Sequence, residues 1–522
     1  MPAAEGYLFS PMRFCFRLLW LGWLLPGVAS AQYFLGVSGS NYAGTNGLYL
    51  NPATVADSRH KIYVNLVSND LFLTNNYLAW EAPYSVLGLM TNTVAPRHRS
   101  SRGLIFWNDA YLAERLNGRR KHLRLGNDLR GPSVLLTLND RHGVALTSRV
   151  RANLNFTDVH EPVARLIRYG TTNQNIQPES FGEQFNLNAT ATLEIGATYG
   201  FVLQNDEDRF IKVGLTAKRL VGLYAAHLLA SDVDYHFETD PRMPRRTNIR
   251  LDNLTAKYGY TEESAFQNIR PTPAWLLGDA PAGSGWGMDV GLVYEYRPDH
   301  RKYSYRERNE RRYDPTKNKY LYRLSLSLLD VGGIRFRNPA YVNHYQIQRQ
   351  GVLFTENNFV DIAGADDVFD GVNQTLELTD GERQTKFWKT LPTAFHAGLD
   401  YKIKERVYVN TVWVQSLTSN RRLTMQVPSV LAVVPRYETK WFEASLPVAL
   451  ADHYSRLTIG AALRLGPVFV GTDHLGGVLN LGNPRGLDFY FGANVPILRS
   501  APKSALECFP KKERRGIFRR KR

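Results

Sequence analysis

The sequence predicts an all-β fold: a transmembrane antiparallel β-barrel of about 14 strands with an N-terminal segment plugging the lumen. Three observations predict it. The first is the hairpin from Asn186 to Leu220. In its first half Leu187, Ala189, Ala191, Leu193, Ile195, Ala197, Tyr199 and Phe201 share one face, and Asn188, Thr190, Thr192, Glu194, Gly196 and Thr198 share the other. After the Asn205-Asp206-Glu207-Asp208 turn, Ile211, Val213, Leu215 and Ala217 alternate with Lys212, Gly214, Thr216 and Lys218. Such strands outrun the roughly five or six residues of a soluble strand and suffice for the roughly nine to eleven that a tilted strand needs to cross a bilayer.

The second observation is an export signal. Arg13 and Arg17 stand at the start of an apolar run, Phe16 to Val28, and Ala29-Ser30-Ala31 is a small-x-small cleavage site before Gln32, so residues 1–31 read as a signal peptide. The third is the spacing of the strands. Tight connections (Asp140 to Gly143, Asn205 to Asp208, Lys404-Glu405, Gly466-Pro467) alternate with long ones, as short periplasmic turns and long outside loops require. A soluble β-sandwich would also alternate its faces, but gives no reason for these three features to occur together.

No run of about twenty apolar residues exists outside the N-terminus, which excludes a helical membrane protein. Only Cys15 and Cys508 are present, and Cys15 leaves with the signal, so the exported chain holds no internal disulfide. A closed sheet stabilises it instead by pairing every backbone group around the ring. The formal net charge is +16, yet its placement argues against nucleic acid. Nine Lys/Arg with two Glu lie between Pro502 and Arg522, and six basic residues with two Glu between Arg301 and Arg312. A basic tail and one basic connection suit anionic lipid, cell-wall material or an acidic partner better.

In chain order, Gln32 to His60 is rich in Gly, Ser, Asn and Ala and has no strand or helix period; it reads as a hatch (32–60) that needs a container. The barrel (61–498) begins with Lys61 to Leu73. A long connection follows, Glu81 to Arg130, in which Asp109 to Leu116 could form a short helix. Strands at Val134–Leu138 and Val144–Phe156 precede a connection, Thr157 to Phe185, and the opening hairpin. Beyond Asp232 the chain reads as a polar wander until Met288–Glu295. The basic connection Arg301 to Asn318 is long where a tight turn is expected, so either a strand is hidden there or the turn is elaborated. Tyr322–Leu328 is followed by a polar connection, Asn338 to Lys389. Seven strands then come quickly: Phe395–Ile403, Val407–Gln415, Val427–Tyr437, Trp441–Val448, Leu457–Leu465, Val468–Asp473 and Leu487–Ile497. Residues 499–522 form a basic periplasmic tail.

If the apolar faces meet lipid, the other faces line the lumen. The charged residues there are Arg149, Arg151, Glu194, Lys212, Lys218, Asp289, Glu295, Arg323, Asp400, Arg464 and Asp488. Their mixed signs favour an ion-pair network that fills a narrow barrel over a selective conduit. Signals for an enzyme are missing: there is no Gly-x-Ser-x-Gly, no His-Glu-x-x-His and no paired Cys for zinc, and His142, His396 and His474 are isolated. No cofactor or metal is expected. Ala365 to Gly371 has the acids of a calcium loop without its spacing, so a solvated outside loop is the better reading.

At Asn51-Pro52-Ala53 the chain resembles FadL-like outer-membrane proteins, whose N-terminal hatch carries such a segment. Three further stretches resemble an uncharacterised Bacteroidetes-type family of these barrels: Ser327 to Arg335 (SLLDVGGIR), Leu391 to Tyr401 (LPTAFHAGLDY) and Phe489 to Ile497 (FYFGANVPI). The resemblance implies residence in the outer membrane and either of two activities. One is passive transport of small hydrophobic molecules. The other is a non-transporting scaffold or adaptor that engages other cell-envelope components. Only Asn51, Pro52 and Ala53 carry across, as a hatch. The partners implied are outer-membrane lipids, a hydrophobic small-molecule ligand in the first case, and an anionic periplasmic partner for the tail. The lumen discriminates: a roomy apolar pocket near Asn51 to Val55 supports transport, and a cross-section filled by ion pairs and hatch supports the scaffold.

Overall fold

The computed structural model describes residues 33–170, 179–206, 208–239, 247–267, 272, 282–307, 310–355, 358, 362–419 and 423–500. Residues 1–31, read as the signal, and Pro502 to Arg522 of the tail lie outside the described residues.

Fourteen antiparallel strands form one closed ring. In chain order they are β1 (His60–Asn75), β2 (Lys121–Arg130 continued by Ser133–Thr137), β3 (His142–Val159), β4 (Glu179–Asn205), β5 (Arg209–Thr239), β6 (Gly283–Tyr296) and β7 (Tyr322–Phe336), followed by β8 (Phe387–Thr390 continued by Ala394–Lys404), β9 (Val407–Ser416), β10 (Val430–Glu438), β11 (Phe442–Ser445 continued by Val448–Ala451), β12 (Arg456–Ile459 continued by Ala461–Leu465), β13 (Val468–Thr472) and β14 (Gly486–Leu498). Each pairs with the next, and β14 closes on β1 through pairs such as Asn65↔Asn494 and Asp70↔Tyr490. Closure removes the free edges that a sheet of this size would otherwise present.

The two-residue period sorts side chains as the pleat demands. Leu292, Leu326, Leu431, Val433, Leu463, Val470, Phe491 and Val495 are exposed on the outside, while Asp289, Val293, Glu295, Ser327, Arg436, Arg464 and Asn494 between them are buried inside. The short connections, with the chain passages at His60 and Leu498, gather at one end, here termed the tight-turn end. The other end carries the long loops. Aromatic side chains (Tyr294, Tyr296, Tyr322, Tyr401, Tyr437, Trp441) rim the outer face toward the tight-turn end, where Tyr296 and Tyr322 stack at 5.3 Å.

Several long-loop expectations need correction. The Thr157 to Phe185 connection is shorter than expected, because β3 runs to Val159 and β4 starts at Glu179. The polar wander after Asp232 contains a strand, Thr247–Thr261, that pairs with the upper part of β5, from Ala226↔Tyr260 to Thr239↔Thr247. Bulges at Ala230/Asp232 and Asp234/Tyr235 shift the period by one residue, so strict alternation loses phase there. The connection from Asn338 to Lys389 holds strands Val342–Arg349 and Val352–Phe354, both paired to Thr247–Thr261, and a helix, Ala365–Thr375. Ala365 to Gly371 is therefore the start of a helix and not a solvated loop: Phe369 lies on Tyr260 at 4.1 Å between ring centres, and the Asp367 carboxylate accepts the Ala363 and Gly364 N–H groups ahead of the first turn. Asp109 to Leu116 makes one turn, Asp109–Tyr111, before extending into a strand, Leu112–Glu114, that pairs with Leu78–Trp80. The basic connection is an elaborated turn with its own small hairpin, Ser304–Glu307 against Glu310–Tyr313.

Candidate functional site

Residues 33–59 pack against inward-facing residues of many strands, and the wall is cut to receive them. Their many Gly, Asn and Ser residues are poor strand and helix formers and leave backbone groups to be satisfied by whatever surrounds them. They fold as three short helical segments, Leu35–Ser38, Gly44–Tyr49 and Pro52–Val55, joined by bends. Asn51 directs the last turn. Its Oδ1 accepts the Ala53 N–H at 2.9 Å, Pro52 fixes the first helical φ, and its Nδ2 donates to the Leu292 and Leu326 carbonyls of β6 and β7 at 3.1 and 3.0 Å.

Opposite this turn the wall carries a row of directly paired residues, Gly143↔Gly200↔Gly214↔Gly291↔Ser327↔His396, one from each of β3 to β8. The glycines are needed for space. A Cβ on Gly214 would stand 2.4 Å from the Ala53 nitrogen, one on Gly143 2.2 Å from the Val55 carbonyl oxygen, and one on Gly291 2.1 Å from Asn51 Oδ1. Ser327 Oγ then donates to the Leu50 carbonyl at 2.6 Å, and Lys212 Nζ to the Ala56 carbonyl at 2.7 Å. Ala53, Val55 and Ala56 are fully buried as a result.

All eleven inward charges named from the sequence are buried or nearly so, and most are paired. Glu194 receives Arg149 at 2.5 Å and Arg151 at 2.9 Å. Lys218 reaches Asp289 at 2.7 Å and Asp330 at 2.5 Å, while Arg151 also reaches Asp330 at 2.8 Å. Asp400 binds Arg323 at 3.0 Å, both ends of the Arg436 guanidinium, and the Tyr320 hydroxyl at 2.6 Å. Glu295 holds Arg297, which also holds Asp57 at 2.8 Å. Arg464 donates to Glu443 at 3.0 Å, and Asp488 accepts the Asp473 N–H at 2.5 Å. Among the described residues Lys212 and Asp488 bond only to neutral groups, the Ala56 carbonyl and the Asp473 N–H.

Sequence reasoning missed Asp330, Asp57, Arg297, Asp128, Arg130, Arg436, Glu438 and Glu443. Asp330 has the clearest reason. Leu324, Leu326 and Leu328 face out, so strict alternation sends Asp330 out too. A bulge between Leu328 and Val331 turns it inward, with φ 55° at Asp330 and 143° at Gly332. The Val331-Gly332-Gly333 run was the available signal. Arg130 stacks on Phe34 at 3.9 Å and on Tyr49 at 4.2 Å, and donates to Asn46 Oδ1 at 2.9 Å.

Toward the long-loop end the filling changes to apolar side chains. Leu220, Ile334, Phe336, Phe387, Leu391 and Met425 form one cluster, with Phe336 stacked on Phe387 at 4.9 Å. Lys389 crosses beside it to β4 and β5, donating to Asn188 Oδ1 at 2.6 Å and the Ala189 carbonyl at 2.8 Å. Among the described residues one interior cavity of about 100 Å³ is lined largely by polar and charged residues, and another of about 40 Å³ has a mixed lining, with Phe72, Leu329, Pro392 and Val427 beside Asp128, Arg130, Arg149, Arg151 and Asp330. His142 sits outside at a turn against Tyr199, His396 is buried beside Ser327, and His474 precedes a short turn at Leu475–Leu479; among the described residues none has both a nucleophile and a carboxylate in line with it. Among the described residues no group of three or more His, Cys, Asp or Glu side chains is placed to hold a metal ion.

The model of a family described as "Family of unknown function (DUF5723)" matches residues 52–473, from the second residue of the Asn-Pro-Ala segment to the end of β13. The chain belongs to this family. No curated protein matches it. Among solved structures it is similar to the Pseudomonas putida toluene transporter TodX, with 10% identity and a TM-score of 0.36 over 88% of this chain and 94% of that one. It is similar also to the Ralstonia pickettii toluene transporter TbuX, with 9% identity and a TM-score of 0.35 over 89% and 97%. A Pseudomonas aeruginosa FadL homologue shows 11% identity and a TM-score of 0.28 over 87% and 94%. The three stretches that resembled a barrel family all supply interior contacts: Ser327 and Asp330 from the first, His396 and Asp400 from the second, and Tyr490, whose hydroxyl accepts the Gly36 N–H at 3.2 Å, from the third.

Proposed function

We propose that this chain is an outer-membrane barrel held shut by its own N-terminal hatch, serving the cell envelope as a scaffold or adaptor. The observation that carries this reading is the interior: hatch, ion pairs and an apolar layer succeed one another along the axis. Among the described residues the two best-formed cavities, of about 100 Å³ and about 40 Å³, fall well short of the roughly 300 Å³ at which pockets for small organic ligands begin. Residence in the outer membrane is supported by the closed ring of long strands and by its exposed apolar belt, which water would not tolerate on that scale. Fractionation with heat-modifiable migration on a gel tests residence, and recovery in the soluble periplasm would end the proposal. Conductance in planar bilayers tests closure; steady ion-conducting steps from the intact protein would overturn it.

Passive transport of small hydrophobic molecules is the second reading. It is favoured by one feature, exposed Leu104, Phe106, Trp107 and Leu481 at the long-loop end, where an apolar molecule could first adsorb. Uptake of a monoaromatic hydrocarbon by cells with and without the protein separates the two readings. The basic tail, Pro502 to Arg522, we assign to an electrostatic tether on anionic lipid or an acidic periplasmic partner. Identical co-purifying lipids and proteins from the full chain and from a truncation after Arg499, at low salt, would remove that assignment.

A further inference from the structure

The larger cavity lies between residues 38–59 of the luminal segment and the wall near the tight-turn end, and its walls carry more positive charge than negative. Six cations line it, Arg59, Lys212, Arg297, Lys317, Lys319 and Arg323, against three carboxylates, Asp57, Glu295 and Asp400. The carboxylates are already engaged. Arg297 binds both Glu295 and Asp57, Lys319 stands 4.0 Å from Asp57, and Arg323 shares Asp400 with Arg436. Among the described residues Arg59, Lys212 and Lys317 have no carboxylate in ion-pair range. Arg59 donates to Asn318 Oδ1 and the Tyr42 hydroxyl, and Lys212 to the Ala56 carbonyl.

Lys212 is only 5% exposed. A buried ammonium with one neutral acceptor is costly, because it has given up water for a single hydrogen bond, and the nearby charges of Glu295 and Asp57 are already held by Arg297. Lys319 is in similar straits: burial pushes its ammonium below the ordinary lysine value, and Asp57 restores only part of the loss. Lys317, by contrast, is exposed at the rim, so the space is reachable from the tight-turn end.

We propose that this cavity is a binding site for a small free oxyanion of the phosphate or sulfate class, seated between Lys212 and Lys319 with Arg59 and Lys317 at its mouth. A tetrahedral oxyanion supplies the acceptors that Lys212 lacks and balances the cationic surplus. At about 100 Å³ the space suits a compact ion and excludes a lipid headgroup that drags its acyl chains.

The test uses the full chain in detergent, with inorganic phosphate titrated at constant ionic strength and binding read by equilibrium dialysis and thermal unfolding. Saturable binding of one phosphate per chain is expected, weakened about tenfold in Lys212→Met and less in Lys317→Ala. Heat-modifiable migration verifies that each variant is folded; Lys317, being exposed, carries the test if Lys212→Met does not assemble. Unsaturable binding, an equal thermal shift with chloride, or unchanged affinity in every folded variant would overturn the proposal. Phosphatidylglycerol micelles form the second arm. They should leave bound phosphate in place, and displacement would overturn the assignment to a free anion.

Discussion

At the tight-turn end the ring is filled by backbone and charge. The hatch turn Pro52–Val55 presses against four paired glycines, and arginines and lysines from the wall share carboxylates around it. At the long-loop end the same ring is filled by rings and aliphatic chains. Phe336 stacks on Phe387, Tyr258 and Tyr260 pack with Tyr345 and Ile347, and Phe369 of the helix closes over them. The first mode is brittle and the second forgiving. A buried ion network loses far more when one member is removed than it gains overall, because the partner is left charged and unpaired. An apolar layer loses only contact area and refills in part.

The comparison is sharpest at Glu194, which holds both Arg149 and Arg151. Glu194→Ala is expected to cost about 3 to 5 kcal/mol, since it leaves two guanidiniums with only Asp128 and Asp330 to share. Urea unfolding midpoints of the refolded barrel measure it, and a loss under 1 kcal/mol would mean that water reaches this cluster freely. Gly214→Leu follows, at about 3 kcal/mol, because its Cβ meets backbone atoms of the hatch and no side chain that could swing away. Limited proteolysis should then cut within residues 33–59 and within β3 to β6 together; an intact hatch in that variant would show that the seating is looser than the distances state.

At the other end Phe369→Ala should cost about 1 to 2 kcal/mol and stay local, raising amide exchange in Ala365–Thr375 without moving the global midpoint. A drop in global stability would erase the contrast between the two ends. The smallest effect is one of pH. Asp366 accepts the Glu263 N–H, and burial, opposed by that bond and reinforced by the Glu263 and Glu262 carboxyls, pushes its carboxyl up to about 6. A raised carboxyl favours the folded state when protonated. Its contribution is therefore complete below the ordinary value of 3.8 and is lost as pH rises through about 6. Exchange in the helix, corrected for intrinsic rates, should be slower at pH 5 than at pH 7, and Asp366→Asn should flatten that dependence.

The sequence was most legible where the wall is regular. Part of each of the fourteen strands is legible because each is at least partly inward-polar and outward-apolar, but Lys121–Arg130 of β2 and residues 387–389 of β8 read as connection and are strand. Legibility failed where a single bulge reverses parity. Asp330, at the centre of one ion cluster, sits one residue past such a bulge, and the upper part of β5 is crossed by two. It failed again wherever a partner comes from far along the chain: nothing near Asp57 announces Arg297, or near Arg130 the ring of Phe34. The Ala365–Thr375 helix was hidden for a different reason. Its apolar residues, Val368, Phe369 and Val372, are few, and its acids suggested a loop before they were seen capping a first turn.

The row of glycines also decides how the molecule comes apart. Because Gly143, Gly200, Gly214 and Gly291 meet hatch atoms closely on four successive strands, the turn at Pro52–Val55 cannot lift from one strand while resting on the others. It has no separate opening free energy of its own. The hatch and these four strands are one cooperative unit, and the Ala53 and Val55 amides exchange with solvent only at the rate at which that part of the wall unfolds.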